Sequence, residues 1–78
     1  MITAEEIKRL RTGKGFYNYR DMACALMAKA EEQDEKYKIS GMAYSNKEKG
    51  KRPFTAREAG LMAQVLEIPF DVAFEYFS

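Results

Sequence analysis

Between Ile39 and Glu58 the chain starts a helix, stops it and starts another, which restricts this region to short helices joined by tight corners. Ser40 stands where an N-cap hydroxyl accepts a free backbone N–H of the first turn. At about 100° per helical residue, Tyr44, Lys47 and Glu48 then fall on one face, and Gly41, Met42, Ser45, Asn46 and Lys49 are expected to face outward. Gly50 ends this helix and Pro53 prevents its continuation, while Lys47, Lys49, Lys51 and Arg52 crowd a C-terminus whose dipole favours cations. Thr55 and Glu58 follow with capping-box spacing, so a new helix begins at once.

Similar signals divide the remainder. Thr3 and Glu6 open a first helix with Ile7 and Leu10 on its buried stripe, and Gly13 and Gly15 close it. Asn18 caps a second, whose apolar residues Met22, Ala23, Leu26, Met27 and Ala30 recur at helical spacing. Ala28 to Glu32 are strong helix formers, so this helix is expected to run on and to reach a loop near Asp34–Lys38. Ala59, Met62, Ala63 and Leu66 make the core stripe of the helix capped by Thr55. Pro69 lies in the first turn of a fifth helix in which Phe70 and Phe74 are expected to close the core, with Tyr76 and Phe77 in a partly exposed patch. Strand signals are poor, and the expectation is an all-α domain of five helices over residues 1–78.

Composition narrows the chemistry. With 78 residues the chain has material for one small core, and 46% hydrophobic content is enough to build it. The net charge of +1 conceals a segregation: Glu31, Glu32, Asp34 and Glu35 precede a stretch from Lys36 to Arg57 that holds seven bases and the single acid Glu48. The acidic block is expected to be a solvated face turned away from any polyanion. One cysteine and no histidine leave no disulfide framework, no Cys/His metal set and no imidazole for proton transfer, so neither an enzyme nor a cofactor is expected. Cys24 reads as a semi-buried small hydrophobe. The start of the chain lacks an apolar signal core and the run Met22 to Ala28 is too short to span a bilayer, which suggests a cytoplasmic protein without membrane contact or small-molecule substrate.

The run Tyr44-Ser45-Asn46-Lys47-Glu48-Lys49-Gly50-Lys51-Arg52, followed by Ala63-x-x-Leu66, resembles the lambda-repressor-like (Cro/CI-type) helix-turn-helix regulators of phages and mobile elements. The resemblance covers about Ile7 to Phe77. It implies a five-helix DNA-binding domain acting as a transcriptional repressor, with residues of about 40–49 as the recognition helix in the major groove of double-stranded DNA. It also implies a structural pair between Arg11 and Glu48, and base contacts from Gly41, Met42, Ser45 and Asn46. Phosphate contacts would come from Tyr19, Ser40, Lys49, Lys51 and Arg52. Members of that family often dimerise through the C-terminal end, which makes the aromatic last helix a candidate homodimer contact. The departure is residues 27–38, which enlarge the connection between the second and third helices where the family has a tight turn. A module that uses the same fold to dock on a partner repressor is the alternative.

Overall fold

The computed structural model describes residues 3–77, and these form five α-helices with no strand among them: α1 (Ala4–Gly13), α2 (Tyr19–Glu32), α3 (Gly41–Glu48), α4 (Ala56–Leu66) and α5 (Phe70–Phe77). The first four start on side-chain caps, with Thr3, Asn18, Ser40 and Thr55 each accepting a backbone N–H of the first turn. At Thr55 the box is complete, because the Glu58 carboxylate also accepts the Thr55 N–H at 2.8 Å.

The stop of α3 is a Schellman turn. Gly50 adopts φ +83°, its N–H bonds the Lys47 carbonyl at 3.1 Å, and the Lys51 N–H bonds the Asn46 carbonyl at 2.8 Å. Helix α2 stops in the same pattern without a glycine: Asp34 takes φ 56°, with Asp34 N–H on Glu31 and Glu35 N–H on Ala30. Residues 33–40 then connect α2 to α3, so the helix runs on through Glu32 and the loop begins where the helix formers end.

Helix α2 packs on both α3 and α4, α5 packs on α4, and α1 meets α3. Ile7, Met22, Leu26, Tyr44, Met62 and Leu66 are the largest fully buried side chains, so four of the helices contribute to one core. Burying each such side chain contributes about 1.5–3 kcal/mol, which is what holds α3, only 8 residues long, in place.

Two expectations about apolar residues are corrected. Phe70 and Phe74 do not close the core: they are 52% and 44% exposed and lie against each other with ring centroids 5.8 Å apart. The reason is the small-residue seam formed by Ala59, Ala63 and Ala73, which turns Ala73 inward and the phenyl rings out. Cys24 is exposed, because Met22, Ala23, Leu26 and Ala30 take the buried face of α2. The Tyr76–Phe77 patch lies outside the described side chains. No helix among the described residues is long and apolar enough to cross a membrane.

Candidate functional site

The inner side of α3 is fixed through Arg11 at the end of α1. Its guanidinium donates to both Glu48 carboxylate oxygens at 2.9 and 3.2 Å, and to the carbonyls of Phe16 and Tyr17 at 2.8 and 3.1 Å. Tyr44 Oη donates to Glu48 Oε1 at 2.7 Å, and the Arg11 guanidinium lies 4.7 Å from the Tyr19 ring centre. A planar fork suits this site, since four hydrogen bonds from one rigid guanidinium serve a carboxylate and two carbonyls together. Arg11 and Glu48 are both buried, and the pair ties α1, the aromatic turn before α2, and α3.

On its other flank α3 is held through Glu58. Lys47 Nζ lies 2.6 and 2.7 Å from the two Glu58 oxygens, and Tyr37 Oη, from the α2–α3 connection, donates to Glu58 at 2.6 Å. Burial by itself would raise the Glu58 carboxyl, but the bonds from Lys47, Tyr37 and the Thr55 backbone outweigh it and hold the group below its ordinary value. Burial, then the bond to Glu58 and its charge, pushes the Tyr37 hydroxyl far above the tyrosine range. Next to it Arg57 donates to Glu35 at 2.9 Å and to the Lys36 carbonyl, which binds the connection to the first turn of α4. The long connection is therefore a strut.

These anchors decide which residues face out. Met42 is 78% exposed, Ala43 and Asn46 are half-buried, and Lys49 is exposed. Ser45, expected outside, is only 8% exposed. Gly41 is turned toward α2, where a Cβ would stand 3.1 Å from the Arg20 Cα and backbone N. Its missing side chain permits the approach of two helices, and that use replaces the expected outward role. The outward face is thus rotated, and Ala43 joins Met42 and Asn46 on it. Alternation of Tyr44 and Glu48 could have given that phase; taking Ser45 with the polar residues shifted it.

Tyr19 is half-buried below Lys49, whose Nζ lies 5.5 Å from its ring centre, and it packs against Tyr44. Ser40 is exposed and its oxygen accepts the Ala43 N–H at 3.0 Å, which leaves the hydroxyl proton to donate. Lys51 and Arg52 are exposed just beyond the Schellman turn. Of the bases between Lys36 and Arg57, Lys47 and Arg57 are committed to carboxylates, whereas Lys49, Lys51 and Arg52 form a cationic corner beside the outward face. Arg20, exposed on the first turn of α2 beside Gly41, adds a cation that the reading of the sequence missed. Among the described residues no three His, Cys, Asp or Glu side chains gather as a metal site.

Chemically, the arrangement offers a short helix with an apolar and amide-bearing outer face, flanked by cations at both ends. It suits a groove bordered by anions. No protein-family model, curated protein or solved structure matches this chain.

Proposed function

We propose that this chain is a double-stranded DNA-binding transcriptional regulator of the lambda-repressor-like kind, working in the cytoplasm, with α3 in the major groove and the cationic corner on phosphates. The observation that carries the reading is the sorting of charge around α3. Lys47 and Glu48 are consumed in anchoring the helix, while Lys49, Lys51 and Arg52 stay exposed on one side of it. Phosphate contacts fix register and supply most of the affinity, and the outward side chains of the helix then meet base edges. The order of five helices, with α2 and α3 as the helix-turn-helix pair and an enlarged connection between them, supports the same assignment.

The exposed Phe70–Phe74 stack on α5 supports a homodimer through that helix, which would place two copies of α3 on successive half-sites. The same stack favours the second reading, a modulator that docks on a partner repressor. Titration of labelled random and genomic-fragment duplexes at two salt concentrations separates them. Regulation through DNA requires binding that weakens steeply with salt, with a log–log slope beyond about −2 per subunit. A slope of about −1 or shallower favours the protein-docking reading.

A further inference from the structure

We infer that α3 selects duplexes whose central major-groove edge is built from A·T pairs, with thymine methyls against Met42 and Ala43 and an adenine under Asn46. This rests on the DNA-binding reading above and narrows its ligand. Once α3 is anchored, few of its side chains remain available to a base edge.

Guanine is read in the major groove by paired donors, most often Arg or Lys, on its O6 and N7, and cytosine by a carboxylate on its N4 amino group. Neither lysine near the outward face is assigned to that task. Lys47 Nζ is held between the Glu58 oxygens, and Lys49, at the C-cap of α3, belongs to the exposed corner assigned to phosphates. The carboxylate on α3, Glu48, is buried and taken by Arg11 and Tyr44. Ser45 is 8% exposed, which leaves it little surface to offer a base edge.

What remains outside is apolar at the N-terminal end, Met42 and Ala43, followed one turn later by the Asn46 amide. An exposed thioether and a methyl gain nothing from a polar base edge, but they lose water against the 5-methyl of thymine. The Asn46 side chain makes no hydrogen bond among the described residues, so its amide is free to donate to adenine N7 and accept from the N6 amino group. At guanine, both N7 and O6 are acceptors, and the amide oxygen would face one of them. Lys51 and Arg52 follow the end of α3, and Arg20 lies on the neighbouring helix; all three are placed for phosphates.

The test uses the full chain and fluorescently labelled duplexes with identical flanks. After selection from a randomised core, the preferred duplex is compared with a G·C-core version. It is also remade with deoxyuridine for thymidine, which deletes only methyls, and with 7-deaza-adenine, which deletes only N7. The A·T core should bind about 10- to 100-fold more tightly. Each methyl that touches the helix should account for about threefold to fourfold, and that sensitivity should shrink in Met42→Ala, whose exposed position leaves folding intact. The 7-deaza duplex should bind the parent less tightly by about fivefold or more and leave Asn46→Ala unaffected. Salt-dependent binding with no core preference, or with a G·C preference, overturns the inference and leaves DNA binding standing. No salt-dependent binding to any duplex overturns both.

Discussion

Glu48 at the end of α3 and Glu58 in the first turn of α4 are both buried carboxylates that gather several donors, yet they hold opposite flanks of α3 in different ways. Glu48 receives a planar, two-pronged guanidinium that is itself buried and has no other route to water. Glu58 receives a flexible, partly exposed ammonium, a phenol from a long connection and its own cap N–H. The first hub breaks as a unit. The second can shed one donor and keep the others, because Lys47 can re-enter solvent and the capping box is local.

The largest effect should come from Glu48→Ala, which leaves Arg11 buried with two carbonyls and no counter-charge. Denaturant unfolding at pH 7 should show a loss of about 3–4 kcal/mol, much of the roughly 4–12 kcal/mol expected of a domain this size. A variant that unfolds like the parent but loses binding would make Glu48 a surface contact instead.

Glu58→Gln should cost less, about 2 kcal/mol, since its partners regain water more easily. Its pH dependence sharpens the contrast. The folded-state carboxyl titrates below the ordinary 4.5, so its contribution is complete above that value and is lost as pH falls through the lowered one. The parent should therefore lose stability on acidification below about pH 4.5, and Glu58→Gln should lack that part of the acid limb. Equal acid slopes in the two proteins would remove Glu58 from the account.

Tyr37→Phe deletes one donor to Glu58 and leaves Lys47 and the Thr55 N–H in place, so the cost should be about 0.5–1.5 kcal/mol in the same unfolding experiment. A loss matching that of Glu48→Ala would show the second hub to be as indivisible as the first.

The contrast also explains what could be read in advance. The five helices were legible because their boundaries are written locally: Thr3, Asn18, Ser40 and Thr55 as caps, Gly50 and Pro53 as a stop. Arg11 and Glu48 are 37 positions apart, and their proximity was legible only through the family resemblance, not from spacing. The Glu58 hub was only half visible. Its cap partner Thr55 lies three residues away, but Tyr37 reaches it from a connection whose path no local rule describes. The phase of α3 failed for a similar reason. A serine is as content buried as exposed when its neighbours seal the face, and nothing near Gly41 announces that Arg20 is its neighbour. The Phe70 and Phe74 error shows a tertiary override, in which three alanines outcompete two rings for a narrow seam.

The smallest effect on stability and the largest on function should meet in one protein, the Lys49→Ala, Lys51→Ala, Arg52→Ala triple variant, because these exposed residues anchor nothing in the core. Its affinity and that of the parent for the same duplexes would be measured across a salt series, with unfolding followed in parallel. The account predicts that the variant unfolds within about 0.5 kcal/mol of the parent. Its log–log salt slope should be flatter by about 2 to 3, by the same amount on every sequence. A parent slope no steeper than about −1, or a slope that the triple substitution leaves unchanged, would contradict phosphate binding by this corner.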